Sequence, residues 1–143
     1  MKYRQLGNTG FSVSELSLGT VELGLTYPGC IKLDEDEAIR LLHYALDLGI
    51  NYYDTARNYG DSERLIGKAF KGKHGTIIAT KLAKVDPAVS PGKIYDSILD
   101  CSIRTSSRLL GKDVLDIVQI HSLSLGEPYL YSIYQSVFPK LER

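Results

Sequence analysis

The sequence predicts an α/β fold in which four parallel strands are joined by helical crossovers, with a short β-hairpin in front of them. Three observations predict it. Short apolar runs, typical of buried strands, alternate with longer segments whose apolar residues repeat at helical spacing. Glycines stand where those helical segments end. Polar residues end the apolar runs. Alternation of this kind indicates a parallel sheet, because parallel strands need a helical crossover between them.

The hairpin and the first parallel strand are predicted in the first 32 residues. The turn sequence Gly-Asn-Thr-Gly separates two short extended runs, which predicts a hairpin over residues 2–13. Residues 15–20 follow as a strand, because two leucines alternate there with polar neighbours. Residues 21–32 contain Pro28 and two glycines, so we expect a loop in this segment.

The first helix and the second strand come next. Asp34 and Glu37 form a variant of the capping box, and Gly49 stands where a C-terminal cap belongs, so a helix is predicted between them. The apolar residues of this segment repeat at helical spacing: Ala38, Leu41, Leu42, Ala45 and Leu46. Residues 50–54 form the following strand, and Asp54 ends it.

The second helix is predicted from Ser62, which can cap it, with Glu63 close to its positive N-terminal end. Gly72 follows this helix. Its apolar face is formed by Leu65, Ile66, Ala69 and Phe70. Residues 76–81 read Thr-Ile-Ile-Ala-Thr-Lys, which predicts a buried strand that ends in Lys81.

The third helix is predicted over residues 92–110, after a loop marked by Pro87 and Pro91, and Gly111 stops it. Its predicted apolar stripe consists of Ile94, Ile98, Cys101, Thr105 and Leu109. Residues 115–120 form the fourth strand, which ends at His121. The remaining segment has helical potential, interrupted by Pro139, in Tyr131, Tyr134, Val137 and Leu141.

These elements group into one domain over residues 1–143. After the hairpin, four strand–helix units follow one another along the chain: residues 15–49, 50–72, 76–111 and 115–143. No low-complexity segment and no repeat at the level of the sequence interrupts them.

The composition is that of a soluble globular protein, with 43% hydrophobic and 24% charged residues. Seventeen basic and seventeen acidic side chains leave no net charge, so no electrostatic argument favours nucleic acid or an anionic membrane. No signal peptide is visible, and no run approaches the about 18 apolar residues of a membrane span. Cys30 and Cys101 lie far apart and are expected to be reduced, and the three histidines have no metal-ligand spacing. We therefore expect a cytoplasmic protein without a metal site.

Four reactive side chains stand at or beside the predicted strand ends. Asp54, Lys81 and His121 end three successive apolar strands, and Tyr59 lies in the loop after the first of them. The carboxyl ends of parallel strands carry the active site of a parallel barrel. A neighbouring ammonium stabilises a phenolate, a carboxylate keeps that ammonium charged, and an imidazole can hold a carbonyl oxygen. Together these groups would protonate an alkoxide as hydride arrives at a carbonyl carbon.

Each of these residues taken alone is more often structural. Tyr59 is one of ten tyrosines, and a lysine at the end of a strand often reaches solvent. Asp54 could cap a turn with the threonine that follows it, and a single histidine is usually a satisfied structural residue. Their joint placement at successive strand ends is what favours a catalytic site.

Several segments of the chain closely resemble the aldo-keto reductases. The similar segments are LGNTG at 6–10, LSLGT at 16–20, INYYDTA at 50–56 with Tyr59-Gly60, SERLIG at 62–67, ATK at 79–81 and DIVQIH at 116–121. They cover the chain from Lys2 to about Ser122 in the order and spacing of the family. The resemblance implies the N-terminal half of a (β/α)8 (TIM) barrel, with the hairpin plugging its bottom, and NADPH-dependent reduction of an aldehyde, ketone or sugar carbonyl. The segment after His121 resembles members that act on sugars such as galactose or arabinose.

The resemblance also implies a role for each residue of the predicted site. Tyr59 matches the proton donor of the family, Lys81 the partner that makes the phenol more acidic, Asp54 the counter-ion of the lysine, and His121 the imidazole that orients the substrate. Three positions match the nicotinamide end of the cofactor site: Gly19, Thr20 and Asp54.

A closed barrel of this type needs about 250 residues and eight strands, and this sequence offers four strands. The family's later strands supply most of the NADPH contacts, and no GxGxxG motif replaces them here. We therefore expect this chain to be a fragment of a reductase that is inactive by itself and that needs a missing C-terminal half or a second copy of itself. Two copies around a two-fold axis would supply eight strands and cover the open sheet edges. Two alternatives are a non-catalytic half-barrel module that binds itself or a partner, and a regulatory subunit that senses the cofactor.

Overall fold

A computed structural model describes residues 1–84 and 94–121, including side chains in the third crossover helix from residue 100 onward. The elements in chain order are β1 (Tyr3–Gln5), β2 (Ser12–Ser14), β3 (Leu18–Gly19), α1 (Val21–Gly24), α2 (Glu35–Asp47), β4 (Tyr52–Asp54), α3 (Ser62–Ala69), β5 (Ile77–Lys81), α4 (Ile94–Leu110) and β6 (Ile117–Gln119). The predicted loop around Pro87 and Pro91 and the predicted last helix lie outside the described residues.

The main sheet has the order β3-β4-β5-β6, and each neighbouring pair is parallel. Register pairs Gly19 with Asp54, Asp54 with Ala79, and Lys81 with Gln119. The carboxyl ends of the strands therefore meet at one edge of the sheet. Four parallel strands with crossover helices, preceded by an antiparallel hairpin, are half of a (β/α)8 barrel, so the predicted fold class is confirmed.

The hairpin of β1 and β2 is fastened to the opposite end of the sheet, where β4 begins. Asn51 makes the main connection: its side-chain oxygen accepts a hydrogen bond from the Ser14 amide at 2.7 Å, and its side-chain nitrogen donates to the Ser12 carbonyl at 2.9 Å. The Tyr3 hydroxyl donates to the Gly49 carbonyl at 2.9 Å. The hairpin therefore closes the end of the sheet away from the predicted site.

The hydrophobic core lies between the sheet and its helices. Tyr53 and Ile78 point from β4 and β5 into this layer, where they are fully buried together with residues of α2 and α3. The ring of Tyr53 packs against the ring of Phe70, with 4.7 Å between the two centroids. The Tyr53 hydroxyl donates a hydrogen bond to the Ile50 carbonyl at 2.8 Å. Burial, aided by the charge of Asp47, raises the pKa of Tyr53, so this phenol remains neutral.

The start and end of α2 agree with the sequence prediction. Asp34 accepts a hydrogen bond from the Glu37 amide at 2.8 Å, and the Glu37 carboxylate accepts one from the Asp34 amide at 2.9 Å, which completes the capping box. Gly49 has φ +89°, the left-handed conformation of a C-terminal cap. The predicted apolar stripe is correct for the buried Ala38, Leu42 and Ala45, whereas Leu41 is 38% exposed at the margin of the packed face.

The first parallel strand is shorter than predicted. Only Leu18 and Gly19 of residues 15–20 pair with β4, and Leu16 is 61% exposed. The Ser14 hydroxyl donates a hydrogen bond to the Leu16 carbonyl at 2.6 Å. This local bond occupies a carbonyl that a longer strand would use for pairing, so β3 begins only after it. The segment predicted as a loop contains the short helix α1, whose last residue, Gly24, packs on the backbone of a neighbouring loop.

The prediction that Ser62 caps α3 is wrong, because Asp61 occupies the N-cap position and Ser62 is the first helical residue. The Ser62 hydroxyl is instead buried among other hydroxyls, within 2.9 Å of Thr55 Oγ1 and 2.7 Å of Thr20 Oγ1. The predicted apolar face of α3 is confirmed, since all four of its residues are buried: Leu65, Ile66, Ala69 and Phe70.

From residue 100 onward, the apolar stripe predicted for α4 is shifted by one position from the buried face, and the side chains of Ile94 and Ile98 lie outside the described part of the helix. Cys101 is exposed, and the buried residues among those described are Ser102, Ser106 and Leu110. The reason lies in α3: a Cβ on Gly67 would be 2.0 Å from the Leu109 carbonyl oxygen, so the two helices touch backbone to backbone. Small serine side chains permit such an approach. Among residues 1–84 and 94–121, no helix is both long and apolar enough to cross a membrane.

Candidate active site

Three predicted site residues converge at the carboxyl edge of the sheet. Asp54 and Lys81 are the last residues of β4 and β5, and His121 follows β6 by two residues. The Lys81 ammonium donates to Asp54 Oδ1 at 2.5 Å and to the Thr55 carbonyl at 3.0 Å. The side chains of Lys81 and Asp54 are 16% and 33% exposed. Because the pair is partly shielded from water, this charge-assisted hydrogen bond holds the ammonium in one place.

Tyr59 joins this group from the loop between β4 and α3. The Lys81 nitrogen lies over the face of the Tyr59 ring, 4.8 Å from its centroid, which is a cation–π contact. The His121 imidazole and the Tyr59 ring form a T-shaped pair with 5.6 Å between their centroids. The structure therefore brings all four predicted catalytic residues together. Among the described residues the Tyr59 hydroxyl makes no hydrogen bond, and the ammonium contacts the ring instead.

The loop that carries Tyr59 is held by its backbone. The Tyr59 amide donates to the Ala56 carbonyl at 3.0 Å, and the Tyr59 carbonyl accepts from the Ser62 amide at 3.0 Å. Gly60 has φ +52°, in the left-handed region that favours glycine. A Cβ on Gly24 would lie 1.7 Å from the Tyr59 carbonyl oxygen, so α1 packs directly against this loop. These contacts set where the phenol can lie.

His121 is neutral at physiological pH. Burial lowers the pKa of its imidazole, the positive charges of Lys84 and Lys81 lower it further, and only Asp54 acts in the opposite direction. Its Nδ1 atom is buried and has no hydrogen-bond partner among the described residues. A neutral imidazole offers one N–H donor and one acceptor, which suits a hydrogen bond to an uncharged oxygen.

Gln119 is a residue of this site that the sequence analysis missed. Register pairs it with Lys81, so its side chain points to the same side of the sheet as the lysine. Its amide oxygen is buried and, among the described residues, accepts no hydrogen bond. The signal in the sequence was its place two residues before His121 on one strand. Gln119 and His121 together present two buried polar atoms that a polar ligand could satisfy.

The predicted cofactor residues lie at the end of β3 beside Asp54. Gly19 is exposed, and no atom lies within 4 Å of the position that a Cβ would occupy there, which leaves open space for a flat ring. Thr20 is fully buried, and its hydroxyl donates to the Asp54 carbonyl at 2.8 Å, so it holds the strand end from behind. This open surface lies beside Asp54, at the end of the neighbouring strand β4. The cofactor roles of Gly19, Thr20 and Asp54 stay predictions.

Comparison with known proteins gives concordant matches. A sequence model described as the Aldo/keto reductase family matches residues 15–142. L-galactose dehydrogenase of Arabidopsis thaliana is 30% identical over 151 residues, which cover 100% of this chain and 44% of that protein. The 6-dehydroglucose reductase of Novosphingobium aromaticivorans is 34% identical over 143 residues, covering 89% of this chain and 44% of that protein.

A solved structure agrees with the sequence matches. The holo form of the aldo-keto reductase AKR11C1 from Bacillus halodurans superposes with a TM-score of 0.75 at 34% identity, covering 99% of this chain and 46% of that chain. This chain therefore spans less than half of the length of each of these three relatives.

Proposed function

Because this chain belongs to the aldo-keto reductase family of oxidoreductases, we propose that its site reduces a carbonyl group to an alcohol with NADPH. The observation that supports the proposal is the convergence of Asp54, Tyr59, Lys81 and His121 at one edge of a parallel sheet. No one of these residues would support it alone. Their combination provides a proton donor, a charge that stabilises its conjugate base and a group that holds an oxygen.

The residues of the chain supply the proton half of the reaction. NADPH, when bound, supplies the hydride that bonds to the carbonyl carbon. The Tyr59 hydroxyl gives its proton to the carbonyl oxygen, so that hydride and proton together make the alcohol. The Lys81 ammonium stabilises the phenolate that remains, and the hydrogen bond to Asp54 keeps this ammonium oriented. The neutral His121 ring donates a hydrogen bond to the carbonyl oxygen and so holds it toward the phenol.

The substrate class that we propose is a sugar carbonyl. Two of the relatives, L-galactose dehydrogenase and 6-dehydroglucose reductase, are named for sugar substrates. The polar atoms of Gln119 and His121 would suit the hydroxyl groups of such a substrate, because a buried acceptor without a partner favours a ligand that can donate to it.

The catalytic unit that we propose contains four further strands, supplied by a second copy of this chain or by a C-terminal half. Its support is the four-stranded sheet and the share of the relatives that the chain spans. Activity requires this completed unit, and the inactivity of residues 1–143 by themselves stays a prediction. Size-exclusion chromatography with light scattering at low concentration tests the pairing of copies. A compact soluble monomer would exclude it.

A second candidate function is a non-catalytic half-barrel module that retains these residues without using them. One observation favours it: the Lys81 ammonium lies against the Tyr59 ring, and the Tyr59 hydroxyl has no hydrogen bond to it. Proton transfer would require a hydrogen-bonded phenol, although such bonds often form only when ligands bind.

An NADPH titration with turnover assays separates the two functions. The chain contains no tryptophan, so the nicotinamide fluorescence is the readout for binding. The reductase predicts a saturable change in fluorescence and consumption of NADPH with sugar aldehydes. Tyr59→Phe should lower the turnover by at least about 10²-fold, the usual share of general acid catalysis. Tyr44→Phe, at an exposed tyrosine of α2, is the matched control and should leave turnover unchanged. The absence of NADPH binding by the completed unit would favour the non-catalytic module.

A further inference from the structure

Glu63 is a carboxylate with no exposed surface, and the proposed reaction does not use it. It lies in the first turn of α3, behind the sheet edge that carries the candidate site. A buried charge is costly unless it is paired and its oxygens accept hydrogen bonds. Glu63 lies near the positive end of the helix, as its place in the sequence predicts, and it has two specific partners in the structure.

Both carboxylate oxygens of Glu63 are satisfied by side chains from other elements. Oε2 forms an ion pair with the Arg57 guanidinium, and Oε1 accepts a hydrogen bond from the Thr80 hydroxyl at 2.6 Å. Arg57 belongs to the loop after β4, and Thr80 belongs to β5. One carboxylate therefore joins three segments of the chain.

The two partners are near neighbours of the proposed catalytic residues. Arg57 precedes Tyr59 by two residues, and Thr80 comes directly before Lys81. The Arg57 amide also donates to the Lys81 carbonyl at 3.1 Å. Because side chains alternate along a strand, Thr80 points away from the face that carries Lys81. Glu63 thus links the loop of the phenol to the strand of the ammonium from behind, without reaching the reacting atoms.

The first turn of α3 also holds the end of β4, where Asp54 lies. The Ser62 hydroxyl is 2.7 Å from Thr20 Oγ1, and the Thr20 hydroxyl donates to the Asp54 carbonyl at 2.8 Å. Two adjacent residues of α3 therefore hold the strand ends of Asp54 and Lys81 and the loop of Tyr59. Catalytic groups need such support, because a displacement on the order of 1 Å can cost about 10²-fold in rate.

We propose that Glu63 is a positioning residue of the proton-donating site, which sets the separation of Tyr59 and Lys81 through Arg57 and Thr80. The proposal rests on the proposed carbonyl reduction. A purely structural role would consist of neutralising the buried Glu63 with the partly exposed Arg57, and any replacement that removed both charges would then serve equally well. A positioning role requires the geometry of the three side chains themselves.

The decisive variant replaces the whole network by apolar side chains of similar size, as Arg57→Met with Glu63→Met and Thr80→Val. Apolar replacement of a complete buried ion pair is often neutral for stability, whereas removal of one partner is not. The matched control is Arg64→Met with Glu35→Met. This ion pair, at 2.7 Å, also joins α3 to another segment, but its side chains are 40% and 38% exposed and neither of them forms a hydrogen bond with Thr80 or Arg57.

The readout is the nuclear Overhauser effect between the Tyr59 ring and the Lys81 ε-methylene protons, measured without cofactor. It reports the contact between the ring and the ammonium at 4.8 Å directly. In the triple variant we expect wild-type cooperative unfolding together with a loss of this signal of roughly threefold or more, since the effect falls with the sixth power of distance and a shift on the order of 1 Å is expected. In the completed reductase, kcat should fall by about 10²-fold with little change in KM. The control variant should retain both values.

A folded triple variant with an unchanged Tyr59–Lys81 signal would overturn the proposal. If the triple variant does not fold, Thr80→Val alone decides the question, because it removes one contact of Glu63 and keeps the ion pair. A smaller loss of the same signal supports positioning, and an unchanged signal contradicts it. If no form of the protein consumes NADPH, the proposed function is refuted. The Tyr59–Lys81 signal is measured without cofactor, so it would still show whether Glu63 positions these two side chains.

Discussion

Replacement of Gly24 by alanine tests how closely α1 controls the loop of Tyr59. A Cβ on Gly24 would lie 1.7 Å from the Tyr59 carbonyl oxygen, 2.7 Å from the Ser62 nitrogen and 2.8 Å from the Asp61 nitrogen. All three are backbone atoms, so no side-chain rotation relieves the overlap. Real Cβ atoms essentially never come closer than 3.0 Å, so the loop must retreat from 1.7 Å to at least 3.0 Å, by about 1.3 Å.

The expected cost follows from that displacement. Forcing a methyl group into a packed contact costs about 1–3 kcal/mol, and the better helix propensity of alanine returns up to about 1 kcal/mol. A net loss of up to about 3 kcal/mol in the free energy of unfolding corresponds, for a chain of this size, to a melting temperature lower by up to roughly 15 °C. A loop shift of this size should also lower the kcat of the completed reductase by about 10²-fold.

Thermal unfolding by circular dichroism and the Tyr59–Lys81 Overhauser effect measure the two consequences separately. Glu22→Ala, an exposed change in the same helix, is the matched control and should alter neither. A Gly24→Ala protein with the wild-type melting temperature and the wild-type Tyr59–Lys81 signal would refute the reasoning, because the loop would then have room that the structure denies it.

Three further predictions concern the site and its supports. The His121 imidazole, followed by NMR and assigned with His121→Gln, should titrate below its ordinary value of 6.5, because burial and two lysines lower its pKa. The unfolded chain then binds the proton first, so this group should lower stability as the pH falls below about 6.5, and a midpoint at or above that value contradicts the assignment. Asn51→Ala should lower the free energy of unfolding in urea by about 1–3 kcal/mol, because it removes the partners of hairpin backbone groups. Asn8→Ala, at an exposed position of the hairpin turn, is the control and should change it by less than about 0.5 kcal/mol. Equal effects of the two changes would refute the anchoring role of Asn51. Asp34→Ala should cost about 1 kcal/mol through the lost cap, more than Asp36→Ala in the same turn, and the reverse order would contradict the capping box.

The order of strands and helices could be predicted because its signals are local. The capping box of Asp34 and Glu37 needs only residues three apart, and the strand β5 begins with a buried apolar run, Ile77 to Ala79. Once the strands are known to be parallel, their carboxyl ends must share an edge. The proximity of Asp54 and Lys81 therefore follows from topology.

The contacts that depend on tertiary packing could not be predicted in this way. Ser102 and Ser106 face the core because α4 approaches Gly67 of α3, and helical periodicity carries no information about that partner. The same holds for Ser62, whose local sequence favours a cap but whose hydroxyl joins a buried cluster. The burial of the Glu63 carboxylate is explained only by its tertiary contacts with Arg57 and Thr80.

Within the candidate site, the sequence predicted that four polar side chains would share one sheet edge, but it did not predict their contacts. The position of the Lys81 ammonium over the ring of Tyr59, rather than beside its hydroxyl, depends on the path of a loop that α1 and α3 hold in place. The unsatisfied amide oxygen of Gln119 depends on what the neighbouring strands leave uncovered.

The most direct test of the central claim measures, in one reaction, the transfer of hydride from NADPH and the dependence of its rate on the Tyr59 hydroxyl. NADPH that carries deuterium at its transferable position is incubated with the completed reductase and a sugar aldehyde, and the alcohol is analysed by mass spectrometry. We predict deuterium on the former carbonyl carbon, formed at least about 10²-fold more slowly by Tyr59→Phe than by the wild type. No transfer of deuterium, or transfer at the same rate without the Tyr59 hydroxyl, would contradict the claim that this cluster is the acid of a carbonyl reductase.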